Sequence, residues 1–319
     1  MQKLFLIGVV IVSAILLPAD VIMDLGMPRR CYMLYEPVVA QLGLRNTSGQ
    51  ALVFGSEAEF KGFLEVELTD TSNRPLKGSG TRIPLKGMIL RPGVNHYIRV
   101  NLSKWLNLHR TGFFKLKFYI SHPMLRHEYQ SNTTSFDIAA GRVYWSRTFG
   151  VPQLEGGAKL GQDAQIRTYT IRTMQDKVDT RIYLFVEDKD YLYSMQLLGT
   201  LLGREMPAFE LDALNHLHML LPLAPKLFRY MMFDWNGKCE INKLYRTASQ
   251  IPILYRDIQN GEVKVLGGEI ARAGTDYIPE KLLTDAPGTA GSASREQQEK
   301  LTPVAPPSSK QPVNPQNRR

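Results

Sequence analysis

A mainly β chain, folded as two antiparallel β domains, is what three features of the sequence predict. Apolar and polar residues alternate with a period of two through most of the chain, which is the pattern of half-buried strands. Turn signals recur about every 8 to 15 residues, and helical spacing is nearly absent. The length, 319 residues, suits two domains of ordinary size, since single cores of about 100 to 200 residues are the usual unit.

The elements follow in chain order. Lys3 and the uncharged apolar block Leu4–Leu17 read as an export signal over residues 1–19. Pro18 and Asp20 end the block short of the roughly 20 apolar residues that a transmembrane helix needs. Cleavage after Ala19 is expected, with retention as an N-terminal anchor as the alternative. The only membrane association foreseen is through that leader.

Residues 20–140 are expected to form a sandwich of two antiparallel sheets. In "FLEVELTD" Leu64, Val66 and Leu68 face inward and Glu65 and Glu67 outward. "YIRVNL" buries Ile98, Val100 and Leu102, and "FFKLKFYI" buries Phe114, Leu116, Phe118 and Ile120 while exposing Lys115 and Lys117. In "EPVVAQLGLRNTSGQ" Val38, Ala40, Leu42 and Leu44 share one face, and Asn46-Thr47-Ser48-Gly49 turn the chain.

Three motifs add a resemblance. They are Tyr32-x-x-x-Glu36-Pro37, Arg45-Asn46-Thr47-Ser48-Gly49, and Leu102-Ser103 followed by Gly112-Phe113-Phe114-Lys115-Leu116. On them, residues 20–140 resemble a bacterial immunoglobulin-like domain. The inter-sheet cysteine pair of antibody domains is absent, and Phe114 stands where a corner tyrosine often lies.

Gly141 to Gln165, rich in glycine with Pro152, reads as a linker. Over 166–276 short strands resume, in "TRIYLFVED", "YLYSMQLLG", "LHMLLPL", "KLFRYMMFD", "CEINKLY" and "EVKVLGG". Asn236-Gly237 and Asn260-Gly261 mark hairpins. A weak repeat at a spacing of 35 maps Ile182, Leu184, Tyr193, Met195 and Leu197 onto Leu217, Met219, Phe228, Tyr230 and Met232; a fainter third copy matches Leu254, Val263 and Val265. Such strand pairs look like propeller-blade pieces. Too few are present to close a ring of about 4 to 8 blades, so an open or sandwiched sheet is expected, with closure by another chain as the alternative. The whole chain resembles secreted bacterial proteins that join an immunoglobulin-like domain to a second β-rich domain, a resemblance that implies no active site. From 285 to 319 Pro, Ser and Gln dominate and a disordered tail is expected.

The net charge of +9 is unevenly placed, with 17 basic against 10 acidic residues over 20–147 and 16 against 17 over 148–284. With an export signal in front, acidic envelope polymers suit that excess better than DNA, and no nucleic-acid partner is expected. Cys31 and Cys239, far apart, exclude a disulfide framework.

Few residues invite chemistry. His216 and His218 share a strand face at a spacing that metal sites use, with Asp212 the nearest further ligand, but Tyr183, the repeat-mate of His218, points to packing. Glu187, Asp188 and Asp190 offer oxygens without the calcium-binding loop that would organise them. His122, Arg126, His127 and Glu128 lie in a loop between late strands of the first domain, where recognition often resides. Tyr32, Tyr35, Tyr97, Trp105, Tyr119 and Tyr129 are candidates for an aromatic platform. No nucleophile elbow, phosphate loop, zinc-protease helix or dinucleotide loop occurs. No metal, cofactor or catalytic residue is therefore expected. The expected function is non-catalytic binding or structural work outside the cytoplasm, on an envelope protein or polysaccharide; a polysaccharide-active enzyme or its carbohydrate-binding module is the alternative.

Overall fold

A computed structural model describes residues 21–152, 165–176, 179–201 and 206–279. The expected leader (1–19) and tail (285–319) lie outside the described residues. The protein is mainly β, with several antiparallel sheets, and falls into two compact units, Met1–Arg142 and Val143–Arg319. No described helix is long and apolar enough to cross a membrane.

The first unit contains β1 (Val21–Gly26), β2 (Cys31–Met33), β3 (Val39–Asn46), β4 (Leu52–Val53), β5 (Phe63–Thr69), β6 (Thr81–Pro84), β7 (Ile89–Leu90), β8 (Asn95–Asn101), β9 (Gly112–Ser121), β10 (Tyr129–Gln130) and β11 (Thr134–Ala139). One sheet runs β1-β3-β8; the larger runs β2-β11-β9-β5-β6, with β10 also on β9, and β4 pairs with β7. Alternate residues from both large sheets meet in one core: Leu42 and Leu44 of β3, Leu64 and Val66 of β5, and Leu116 and Phe118 of β9 are essentially sealed from solvent. Period-two alternation forces this arrangement, because every second side chain of each strand must leave water. Ile98 alone of the inward residues named above is only half-buried.

The first-unit motifs are held by specific bonds. Glu36 is buried, accepts from the Met33 backbone N–H (2.9 Å) and pairs with Arg29 (2.6 Å), whose guanidinium lies 4.5 Å from the Tyr32 ring centre. Burial raises the Tyr32 hydroxyl pKa in spite of Arg29. Asn46 is fully buried and donates to the Gln50 and Leu90 carbonyls, while its oxygen accepts from Ser48. Asn132 acts as a strand mimic: its oxygen accepts from Leu25 N–H (2.7 Å) and its amide donates to Leu25 C=O (2.9 Å), closing the outer edge of β1.

The second unit contains β12 (Arg142–Gly150), β13 (Ile166–Asp176), β14 (Asp179–Glu187), β15 (Leu192–Leu201), β16 (Ala208–Leu211), β17 (Leu217–Ala224), β18 (Leu227–Phe233), β19 (Cys239–Arg246), β20 (Ile253–Arg256), β21 (Val263–Leu266) and β22 (Glu269–Ile270). The segment 141–165 is thus only in part a joint: Arg142–Gly150 forms a strand beside β13, and Phe149 enters the core.

Two meanders, β12-β13-β14-β15 and β16-β17-β18-β19-β22, share a core in which Ile182, Leu184 and Val186 of β14 meet Leu217, Met219 and Leu221 of β17. The spacing of 35 corresponds to successive hairpins, β14–β15, β17–β18 and β20–β21. The pair Leu184 and Gln196 in the first hairpin matches Met219 and Met231 in the second, 35 residues on at both positions. Leu254 pairs with Val265 in the third, one residue out of strict register. None of the described sheets closes into a barrel or propeller.

Candidate functional site

The loop between β9 and β10 does not present its four polar residues together. His122 is buried: its Nε2 faces the Val53 carbonyl at 2.9 Å, its Nδ1 accepts from Met124 N–H at 3.1 Å, and its ring meets Phe54 edge-on. In this pairing Nδ1 accepts and Nε2 is the donor. A Cβ at Gly62 would come within 2.5 Å of Phe54 and 2.9 Å of His122, so glycine there makes room for the anchor. Arg126, His127 and Glu128 are exposed, and His127 packs on Tyr129 at 4.3 Å between ring centres.

The six aromatics do not form one platform either. Tyr32 is core, Tyr35 packs near His109, and Tyr119 and Tyr129 lie on the larger sheet with its end strand β10. Tyr119 donates to Glu67 at 2.5 Å, and this bond, together with burial and the nearby charges of Glu128 and Glu65, pushes its pKa up to about 12. Glu65, Glu67, Tyr119 and Glu128 line one shallow open depression.

Tyr97 differs from the others. It is 80% exposed on the outer face of β8, directly opposite Gly43 of β3. A Cβ on residue 43 would lie 3.3 Å from Tyr97 Cε1, so the ring leans over the space that glycine leaves. Register places Arg45 and Gln41 beside Gly43 on the same face, with Asn95 and Arg99 beside Tyr97 and Asp24 opposite Gly43 on β1. The sequence signal was Gly43 within an alternating strand, which marks a close approach of another group.

In the second unit, polar side chains gather where the turns lie. Three of these turns are built on an aspartate whose carboxylate accepts backbone N–H groups ahead of it: Asp188 from Asp190 and Tyr191, Asp212 from Leu214 and His216, and Asp234 from Asn236 and Lys238. Three residues after two of these aspartates, Asn215 and Gly237 take positive φ values of 62° and 81°, which asparagine and glycine tolerate best. Of the "EDKD" oxygens, those of Asp188 are accordingly committed to a turn, with Tyr193 donating to the second of them, while Glu187 accepts from Thr170 and Arg172 of β13. The Tyr193 donation and the backbone bonds lower the Asp188 pKa against the opposing effect of desolvation.

The histidine pair belongs to the same construction. Asp212 Oδ2 faces His216 Nδ1 at 2.9 Å and His218 Nε2 at 3.4 Å, and His218 Nδ1 meets the Tyr230 hydroxyl at 2.8 Å. His216 stacks on Trp235 at 5.0 Å, and the Trp235 indole donates to Leu214 C=O. Burial lowers the His218 pKa despite Asp212, and burial pushes the Tyr230 hydroxyl up to about 12. Burial works against the Asp212 carboxylate, but the bonds from His216 and His218 hold its pKa below the ordinary range. A chain of tyrosine, histidine and aspartate has the composition of a proton relay. Here Tyr230 and His218 are buried, and the chain ties the Asp212 turn to β17 and β18. Among the described residues no cluster of three or more His, Cys, Asp or Glu is arranged to hold a metal ion.

Tyr169 donates to both Asn215 C=O (3.1 Å) and Asp234 C=O (3.0 Å), and Arg167 to Trp235 C=O (2.8 Å) and Asn236 (2.6 Å), while stacking 3.8 Å from the Tyr193 ring centre. These side chains lock neighbouring turns to one another. No protein-family model matches the chain, and no curated protein matches it.

Proposed function

We propose that this protein is an exported, non-catalytic binding or organising protein of the cell envelope, built from an immunoglobulin-like sandwich and a second domain of propeller-blade-like hairpins. The observation that carries this reading is the outer face of β1, β3 and β8. There a large, exposed tyrosine ring stands among Arg, Gln, Asn and Asp side chains, with the exposed Ile22 of β1 opposite Arg45. A ring of this kind stacks on the apolar face of a sugar while its neighbours bond the hydroxyls, and the excess of basic residues over 20–147 favours acidic polymers. Envelope polysaccharide is therefore the proposed ligand class. The polar side chains of the second unit support the reading from the other side, since they are engaged in holding turns.

Fractionation of cells and pull-down on purified envelope polysaccharide test it together. Expected are recovery outside the cytoplasm and retention on polysaccharide. Full-length protein confined to the cytosol, or no retention on any polysaccharide, would defeat it. One observation favours a second reading as a polysaccharide-active enzyme: Glu65, Glu67 and Glu128 face one depression beside Tyr119, and glycosidases work with paired carboxylates. Loss of polysaccharide cleavage in Glu67→Gln would decide for it.

A further inference from the structure

We propose that the end of the second unit where its turns gather is a docking surface for a protein segment that carries basic side chains among apolar ones. Four turns meet there: 188–191 between β14 and β15, 212–216 between β16 and β17, 234–238 between β18 and β19, and 257–262 between β20 and β21. They are bonded in series. Tyr193, just after the first turn, donates to Asp188 and lies 3.8 Å under the Arg167 guanidinium, and Arg167 donates to the Trp235 carbonyl of the third turn (2.8 Å). Trp235 Nε1 donates to the Leu214 carbonyl of the second turn (2.7 Å), whose Ala213 N–H donates to the Gly261 carbonyl of the fourth (3.0 Å). The four turns therefore form one preorganised surface, and a partner binds it without the entropic cost of ordering loops.

What these turns display is apolar. Turn chemistry calls for Asp, Asn and Gly at fixed positions and leaves the residues between them open to any side chain. Each turn nonetheless holds one large apolar or aromatic residue: Tyr191, Leu214, Trp235 and Ile258. Tyr191 is 50% exposed, Leu214 53% and Ile258 95%, while Trp235 is half-buried with His216 stacked on its ring. A scattered exposed leucine needs no explanation, but four such side chains on turns bonded to one another have the composition of an interaction site.

Charge selects the class of partner. The four turns carry Asp188, Asp190, Asp212, Asp234, Asp257 and Glu262 against Lys189 and Lys238. With Arg167 acting on Asp188 and Lys264 paired to Glu262 added, carboxylates still lead by six to four. An acidic polymer or an anionic lipid surface is repelled by that excess, whereas basic side chains set among apolar ones match both the charge and the apolar display. The inference goes beyond the polysaccharide reading, because it uses neither Tyr97 nor any other residue of the first unit.

The test is fluorescence anisotropy on the full chain with three labelled synthetic peptides of about eight residues, the length of an ordinary strand. One alternates leucine with lysine, one leucine with glutamate, and one serine with lysine. The leucine–lysine peptide is expected to bind most tightly. Its affinity should fall about tenfold in Ile258→Ser, the effect of one buried isoleucine, and about fivefold in Asp190→Lys, the effect of one rim charge. Both side chains are exposed, so urea unfolding of the two variants should match the wild type. Bound peptide should slow amide exchange at Leu214 and Ile258, and Tyr97→Ala should bind it as wild type. Absence of binding, equal binding of either control peptide, or unchanged affinity in both variants would overturn the proposal. So would sedimentation of the chain with phosphatidylcholine vesicles that Ile258→Ser abolishes, or self-association that Ile258→Ser abolishes, since these assign the surface to lipid or to a second copy.

Discussion

Replacing Asp212 probes how the second unit holds its turns. One oxygen of this carboxylate accepts the backbone N–H groups of Leu214 (2.9 Å) and His216 (2.8 Å); the other faces His216 Nδ1 (2.9 Å) and His218 Nε2 (3.4 Å). In Asp212→Ala all four contacts go, and the nearly buried Nε2 of His218 loses its acceptor. Hydrogen bonds to a charged group contribute about 1.5 to 3 kcal/mol each and do not add in full when they share an atom, so a loss of about 3 to 4 kcal/mol is expected. Asp212→Asn keeps a carbonyl oxygen for the turn and surrenders the charge facing the histidines, with an expected loss of about 1 to 2 kcal/mol. Urea unfolding of the full chain, followed by tryptophan fluorescence through Trp235, measures both. The pH dependence adds a sign. His218 has a lowered pKa when folded, so its neutral form contributes stability that is present above the unfolded value of about 6.5 and is lost as pH falls from there toward the folded value. Asp212, also lowered, contributes above its unfolded value and loses that contribution as pH falls through the folded one, so both act toward acid destabilisation. Without the Asp212 charge, burial alone acts on His218, and Asp212→Asn should lose stability more steeply below about pH 6.5 than the wild type. Equal losses in the two variants, or a flat profile in Asp212→Asn, would refute the division of work between the two oxygens.

Gly237→Ala should destabilise by about 2 to 4 kcal/mol in thermal melting, because left-handed backbone disfavours a side chain. The new Cβ would also lie 2.6 Å from Ser194 Cβ and 2.9 Å from Val186 Cγ2. Asn132→Ala should cost about 1 to 3 kcal/mol and speed amide exchange at Leu25, whose N–H and C=O both lose their partner. Melting of the wild type and of the doubly substituted His216→Gln, His218→Gln chain should be unaffected by EDTA; chelator-sensitive melting of the wild type alone would overturn the packing role.

Much of the fold was legible because alternation is a direct physical signal. Leu64, Val66 and Leu68, or Phe114, Leu116 and Phe118, could only be shielded together by placing one strand face on a core, and they are. The repeat at 35 was readable for the same reason, since it records where each hairpin sends its large side chains. Tyr183 and His218, one repeat apart, are both buried, as equivalent positions should be. β12 was missed because its neighbouring glycines outweighed a short alternating run. The candidate site was less legible, because its contacts join residues distant in the chain. Nothing local in "SHPMLRHEY" shows that His122 is clasped by Val53 of β4, nor that Glu128 stands near Glu67. The aspartate turns came closer to being readable: Asp212 with Asn215 and Asp234 with Gly237 carry the turn chemistry in adjacent residues.

Titration calorimetry of the full chain with purified acidic envelope polysaccharide, comparing wild type with Tyr97→Ala and Gly43→Val, bears most directly on the proposed binding role. The first variant removes the ring; the second lifts it off the sheet, since a Cβ at residue 43 would meet Tyr97 Cε1 at 3.3 Å. Both should bind about tenfold more weakly, the equivalent of one lost aromatic stacking contact, with melting temperatures unchanged. Binding that is equally tight in all three proteins, or absent from the wild type, would contradict the account.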